Sequence, residues 1–387
     1  MTPAEKLLNT EQILSSHFIE REEEIHGLTL ASISNTNMLL LGPPGTGKTL
    51  LVNSWSQLIK NNTHFSWLLH KFLTPDELFG PVSLKGLKEE KFKRNTTGKL
   101  PEATTCFLDE IYKCNAGSLN ALLSLLNEKV FFNDDKAIKT PLMMAIGASN
   151  ELPEESDNLD ALDDRFPLRY HVHPIQDAAN KARLLEISIK IESDPTISLQ
   201  DMQLARTEAG QVLITPDVVD HLITLVDCLK NEGIVVTDRT FRQTKFLLQA
   251  EAYLKGRETI SIDDLEILKN VLWRQPEHIR LVHSHILRLI NPEKDKIQSL
   301  YDDAEEIFEK AMALVKATDS TKAAKEGIEI ADKLKSAKRE IDEYIKSMKT
   351  KGKNVRESIK MKKQVEYWLE KVFSELCGVD FGFPDKV

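Results

Sequence analysis

The stretch Gly42-Pro43-Pro44-Gly45-Thr46-Gly47-Lys48-Thr49 decides how this chain is read. It fits G-x-x-x-x-G-K-[ST], the phosphate-binding P-loop, and its setting fits as well. Asn37-Met38-Leu39-Leu40-Leu41 before it reads as a short buried strand. Leu50 to Ile59 after it reads as a helix with Leu50, Leu51, Trp55, Leu58 and Ile59 apolar. The glycines let successive backbone N–H groups turn inward around a phosphate chain. The helix starting near Lys48 points its positive dipole end at the same place. Lys48 can reach the β- and γ-phosphates, and the Thr49 hydroxyl can ligate Mg²⁺.

Working outward, Thr104-Thr105-Cys106-Phe107-Leu108-Asp109-Glu110 is an apolar strand ending in two carboxylates. With that strand beside the P-loop strand, Asp109 sits at the carboxyl edge of the sheet next to Mg²⁺. Glu110 then faces the γ-phosphate, placed to polarise an attacking water. Pro141 to Asn150 reads as a further buried strand ending in a polar amide. Asn150 either orients the water with Glu110 or caps the following turn. In Asp163-Asp164-Arg165-Phe166, Arg165 is either a surface ion pair or an arginine offered to a neighbouring subunit's nucleotide. His171 and His173 share one strand face at metal-ligand spacing, but no third ligand accompanies them, so no metal centre is expected there.

The 387 residues suffice for two or three domains with a core that needs no disulfides. A net charge of −9 gives no global drive toward nucleic acid. Cys106, Cys114, Cys228 and Cys377 are scattered, which argues against a zinc site and suits a reducing compartment. The first residues lack a signal-peptide pattern and no apolar run reaches membrane-spanning length, so a soluble, cytoplasmic protein is expected.

Residues 1 to 36 read as helical, with Phe18 to Ile25 taken as an acidic amphipathic helix. Thr63 to Leu69 reads as a strand, and Thr74-Pro75-Asp76-Glu77 as a capped helix start. Pro81 to Pro101 is rich in Lys and Gly, and a long segment of that kind is more often functional than idle. Gly117 to Asn127 reads as a helix and Lys129 to Ile138 as a hairpin. From Gln176 to Asn291 the pattern is mostly helical. Val218, Val219, Leu222, Ile223 and Val226 line one helix; Phe241, Phe246, Leu247 and Leu248 line another; a third opens at Ser261. Beyond Pro292 three long amphipathic helices predict an antiparallel bundle or coiled coil. The basic run from Lys346 to Lys363 reads as a solvated surface rather than a nucleic-acid contact. The domains expected are 1–176, an α/β nucleotide-binding core with a parallel sheet; 177–291, an all-α lid; and 292–387, a helical extension.

The P-loop, Asp109-Glu110, Asn150, Asp164-Arg165-Phe166 and Thr237-Asp238-Arg239 together resemble the AAA+ ATPases of the MoxR family. Within it the likeness is closest to the RavA group, through phrases such as Thr74 to Pro81, Phe107 to Lys113 and Ala148 to Pro153. The resemblance covers about residues 10 to 290. It implies ATP and Mg²⁺ as ligands, Lys48 and Thr49 as Walker A residues, and Asp109 and Glu110 as Walker B residues. It implies Asn150 as sensor one, Arg165 as arginine finger and Arg239 as the sensor-two arginine that the lid brings to the γ-phosphate. It further implies a homo-hexameric ring, chaperone-like remodelling of a protein substrate, and a partner with a von Willebrand A domain. In that family 81–101 and 129–141 match insertions facing substrate or the ring pore, and a hydrophobic-Arg-Glu segment near residue 20 often packs beside adenine. The β-rich insert of the RavA group has no counterpart in the pattern after Pro292, so that domain's partners are not implied. Asp163 stands where a small or apolar residue is common, which clouds the approach of Arg165. A nucleotide-gated scaffold and a restriction-type nucleic-acid motor are the alternative functions, the latter disfavoured by the acidic charge.

Overall fold

The computed structural model describes residues 1–134, 136–153, 159–186, 191, 193–315, 320–351 and 355–377. Two compact units divide the chain, Met1–Ile279 and Arg280–Val387.

In the first unit, helix α1 (Pro3–His17) opens on a capping box between Thr2 and Glu5. Helix α2 (Glu22–Ser34) is buried almost all round and ends at Asn35 in the left-handed region. Strand β1 (Met38–Leu41) leads through the P-loop into α3 (Lys48–Gln57). Ile59, read as helical, instead enters β2 (Ile59–Lys60). Then come β3 (His64–Leu68), α4 (Pro75–Phe79), α5 (Leu84–Lys88) and β4 (Thr105–Asp109). Helix α6 (Ala116–Glu128) runs into the hairpin β5 (Val130–Asn133) and β6 (Lys136–Lys139). Strand β7 (Met144–Ser149), α7 (Asp160–Asp163) and β8 (Leu168–His171) complete the α/β layer.

The main sheet is five-stranded and parallel, in the order β3-β4-β7-β1-β8. This corrects one expectation. The Asp109-Glu110 strand does not lie beside the P-loop strand, because β7 separates them. Every residue of β7 is buried, as an interior strand of a covered parallel sheet requires. All five strands still end at one edge, so Asp109, Asn150 and the P-loop meet there.

After α8 (Ala178–Glu186), strand β9 (Ile197–Ser198) pairs in parallel with β2, and α9 (Leu199–Ala209) follows. Helix α10 (Pro216–Asn231) buries Val218, Leu222, Leu225 and Leu229. Its buried stripe is therefore turned from the expected one, with Ile223 half exposed. Helix α11 (Asp238–Leu254) buries Thr240, Thr244, Gln249 and Glu251 and leaves Phe241 and Phe246 partly exposed. Its inner face is polar because it meets hydrogen-bonding partners. Thr36 donates to Gln243, Gln249 donates to the Val212 carbonyl, and Glu251 meets His26 at 2.7 Å. The helix expected at Ser261 is a 3-10 stretch, Ile262–Asn270, with Ser261 and Asp264 forming its capping box.

The second unit begins within α12 (His278–Ile290) and contains α13 (Pro292–Val315), α14 (Ser320–Thr350) and α15 (Arg356–Cys377). The long helices run antiparallel. Lys351 at the end of α14 pairs with Glu293 at the start of α13, and Lys362 and Asp342 join α14 to α15 at 2.8 Å. Ile297, Ala304, Leu334, Ile341, Val365 and Val372 fill the seam, and Trp368 stacks on Phe308 at 5.5 Å. Within the basic run, Lys351 and Lys362 are thus engaged inside the bundle. No strand occurs among the described residues after Pro292.

Candidate nucleotide site

The P-loop backbone explains its glycines. A Cβ on Gly42 would lie 2.2 Å from the Val172 carbonyl oxygen, so only glycine allows β1 to leave the sheet so close to the exit of β8. Gly47 caps α3 at φ 84, a conformation that costs other residues about 1–2 kcal/mol. A Cβ on Gly45 or Gly47 would meet nothing within 4 Å, so the loop presents an open cradle rather than a packed turn. That cradle fits a phosphate chain.

Lys48 is buried, and its ammonium folds back over the loop. It donates to the carbonyls of Gly42 and Pro43 and, at 3.2 Å, to Asn150 Oδ1. Burial lowers its pKa, while the Asp109 and Glu110 carboxylates oppose that shift. The Thr49 hydroxyl donates to Asp109 Oδ2 at 3.2 Å, placing two hard oxygen ligands side by side. This pair fits Mg²⁺.

Glu110 adopts φ 52 in the left-handed region, an uncommon state for a side-chain-bearing residue and one found at functional turns. Its N–H donates to Asp109 Oδ1 at 3.0 Å, and its Oε1 accepts from Asn150 Nδ2. Lys113, three residues on, brings its ammonium to 3.1 Å from Oε2. A cleft of about 360 Å³ opens beside Glu110, with Lys71, Lys113, Asn115 and Glu151 on its walls. The edge thus gathers Lys48, Thr49, Asp109, Glu110 and Asn150, with Asn150 bridging the P-loop lysine and the second carboxylate.

Arg165 and Arg239 occupy a different place. Arg239 pairs with Asp164 at 2.8 Å, not with the P-loop of its own chain. Arg165 donates to the Ala161 carbonyl at 2.9 Å and lies 3.9 Å from the same Asp164. Burial and the neighbouring Arg239 lower the Arg165 pKa. Asp164 also accepts from Thr237 at 2.9 Å and Arg274 at 3.2 Å, so one carboxylate joins the Arg165 loop to α11 and to the chain after the 3-10 stretch.

Asp163 does not stand in the way of Arg165. It is buried, accepting from Tyr112, from Arg169 at 2.8 Å and from Arg274 at 3.3 Å. Burial first and Asp163 second push the Tyr112 pKa well up, which keeps its hydroxyl a donor.

The reading of Phe18 to Ile25 as one amphipathic helix is also corrected. The helix breaks at Phe18–Arg21, and Phe18 and Ile19 are buried. Glu20, at φ 55, accepts from the N–H of Gln176 at 2.9 Å and of Asp177 at 3.2 Å. Arg21 donates to the Thr46 carbonyl at 3.2 Å and the His173 carbonyl at 2.7 Å. This joint ties the P-loop to the chain leaving β8. Periodicity carries no sign of it; the one clue is an Arg between two buried apolar residues and three glutamates. His171 and His173 touch edge-on through ring nitrogens 2.9 Å apart. Burial lowers both pKa values, and Arg21 adds to the effect on His173. Among the described residues no group of three metal-ligating side chains occurs.

Residues 5–210 match the MoxR domain of the MoxR–vWA–β-propeller ternary systems, and residues 217–286 match an AAA lid domain. Two uncharacterized proteins of Methanocaldococcus jannaschii are relatives. MJ0812 is 38% identical over 72% of this chain and 74% of its own length. MJ0079 is 36% identical over 76% of each. A structural protein of Acidianus two-tailed virus, ORF618, is 27% identical over 52% of this chain and 34% of its own length. A solved structure of a candidate ATPase from Cytophaga hutchinsonii superposes with a TM-score of 0.61 at 18% identity, covering 75% of this chain and 95% of that one. The likeness in sequence takes in both the P-loop layer and the helical lid, and on that ground the chain belongs to the MoxR family of AAA+ ATPases.

Proposed function

We propose that this protein is a ring-forming, Mg²⁺-dependent ATP hydrolase that drives remodelling or maturation of a partner protein. The observation that supports it most is the meeting of Lys48, Thr49, Asp109, Glu110 and Asn150 at one sheet edge beside an open glycine cradle. The backbone N–H groups of Gly45 to Lys48 would wrap the phosphates, and Lys48 would exchange its carbonyl partners for phosphate oxygens. Thr49 and Asp109 would hold Mg²⁺, whose chemistry here is to neutralise charge on the triphosphate. Glu110 would take a proton from the attacking water, and Asn150 would fix the carboxylate that does so.

Arg165 and Arg239 would serve the nucleotide of an adjacent copy, since both gather at Asp164 rather than at their own P-loop. Head-to-tail contacts of that kind close into rings, and a hexamer is the expected size. The Lys113–Glu110 contact favours slow basal turnover, so a partner can set the pace, as in a nucleotide-gated scaffold. A protein with a von Willebrand A domain is the partner that the matched family description suggests.

Glu110→Gln tests the reading. It should bind ATP with Mg²⁺ while hydrolysis falls by about 10²–10⁴-fold. Arg165→Ala should lose activity alone and regain part of it when mixed with Glu110→Gln. Unchanged turnover in Glu110→Gln, or no gain on mixing, would refute the assigned roles. Mass measured with ATP should approach six times the 43.9 kDa chain.

A further inference from the structure

We propose that the surface made by the α5 loop and the β5–β6 hairpin binds an extended acidic polypeptide bearing apolar side chains, the charge from its lysines and the fit from a cleft between Phe92 and Phe132. This deepens the remodelling reading, on which it rests, by naming the substrate chemistry.

Four observations carry it. The chain is acidic at −9, yet residues 84–99 hold six basic side chains against Glu89 and Glu90. Three of the six are engaged locally: Lys91 by Glu89 at 3.1 Å, Arg94 by Asp76 and the Gly80 carbonyl, Lys99 by the Glu77 carbonyl. Lys85, Lys88 and Lys93 face solvent, as do Lys136 and Lys139 on β6. Large apolar groups stand exposed among them: Leu84 at 77%, Phe92 and Phe132 each at 58%, Ile138 at 45%. Such a patch rimmed by charge marks a contact surface.

The surface is also built in advance. Arg94 N–H donates to Asn133 Oδ1 at 2.7 Å, Asn133 Nδ2 donates to the Arg94 carbonyl at 3.1 Å, and Phe92 N–H donates to Asp134 at 3.2 Å. Phe131 stacks on Phe79 at 5.4 Å and pins the hairpin from below. A cleft of about 170 Å³ lies between Phe92 and Phe132, so little order need be gained on binding. Finally, every residue of β6 is exposed, and among the described residues it pairs only with β5. Its free edge can accept an extended strand, whose alternate side chains would reach lysine and cleft. Carboxylates at Glu89, Glu90 and Asp134 and the aliphatic Leu84 and Ile138 offer little to a phosphate backbone, so a protein segment is favoured over nucleic acid.

The test uses the full chain with ATP and a fluorescent peptide in which Glu alternates with Leu and Phe. Anisotropy should show binding that weakens as salt rises. Lys85→Glu/Lys88→Glu/Lys93→Glu, and separately Phe92→Ala/Phe132→Ala, should each weaken it at least about tenfold. Basal ATP hydrolysis, measured on the same samples, should stay within about twofold, since none of these residues touches the nucleotide edge. Equal affinity for the peptide with Lys in place of Glu would overturn the proposal. So would tighter binding of a single-stranded oligonucleotide, or variants that change the assembled mass but not peptide affinity. Normal hydrolysis without peptide binding sinks this inference alone; peptide binding without hydrolysis sinks the ATPase reading and leaves this one standing.

Discussion

Lys113 offers the sharpest test of how turnover is restrained. Its ammonium lies 3.1 Å from Glu110 Oε2, while Asn150 holds Oε1. A water cannot be polarised by Oε2 until that ionic contact opens. At this separation the attraction is roughly 5 kcal/mol at an effective dielectric of 20 and roughly 1 kcal/mol in bulk water. The Lys113 side chain is 44% exposed, which places the contact near the lower end. About 1–2 kcal/mol is therefore the cost of opening it, or about five- to thirtyfold in rate. Lys113→Met should raise basal kcat by that factor in a phosphate-release assay. KM for ATP should stay nearly constant, because Lys113 lies outside the P-loop. Lys113→Arg should behave like the native protein, and Lys113→Met added to Glu110→Gln should gain nothing, since the restraint acts through Glu110. A fall in kcat for Lys113→Met would refute the reasoning and make the lysine an aid to Glu110.

Asp163→Ala would leave Arg169, Arg274 and Tyr112 without their shared acceptor, and Arg169 is only 3% exposed. Breaking such a buried network costs about 3–5 kcal/mol, so thermal denaturation should fall by on the order of 10 °C, with a smaller drop for Asp163→Asn. A drop under about 2 °C would contradict the anchor role. Arg21→Ala should raise KM for ATP several-fold, read by titrating ATP, because Thr46 and the chain after His173 lose their tie. His26 links α1, α2 and α11 by meeting Glu11 at 3.0 Å and Glu251 at 2.7 Å. Burial disfavours its charge, but those two carboxylates outweigh it and lift the pKa to about 10. The folded value lies above the unfolded one, so this stabilisation is complete below about pH 6.5 and is lost as pH rises toward 10. The melting difference between the native protein and His26→Gln should be widest near pH 6 and shrink by pH 10; a constant difference would remove the linkage.

Much of the fold was legible because its signals are local. The P-loop is eight consecutive residues, Thr74 and Glu77 form their capping box within one turn, and the three C-terminal helices announce themselves by a repeating apolar stripe. What could not be read is whatever depends on how strands are ordered. Nothing in Thr105 to Asp109 says that its neighbour is Met144 to Ser149 rather than Met38 to Leu41, because all three are short apolar runs. The site survived that error for a geometric reason. Parallel strands present all their carboxyl ends at one edge, so Asp109 reaches Thr49 from two strands away.

The polar joints were less legible, and for a different reason. A charged residue is expected at the surface unless it is paired, and the partner lies far off in sequence. Arg21 meets carbonyls at residues 46 and 173, His26 meets residues 11 and 251, and Asp164 meets residues 239 and 274. Each contact exists only once the chain has folded, so neither periodicity nor spacing encodes it. The same point bears on Arg165 and Arg239. As isolated motif residues they looked like separate parts, one for a neighbour and one for the chain's own nucleotide. Sharing Asp164 makes them one cluster, with Thr237 and Arg274 binding it to the lid. A displacement of the lid would therefore pull on the carboxylate that neutralises Arg165. Movement of the helical layer and the setting of the finger arginine are then one event, coupled through a single buried side chain.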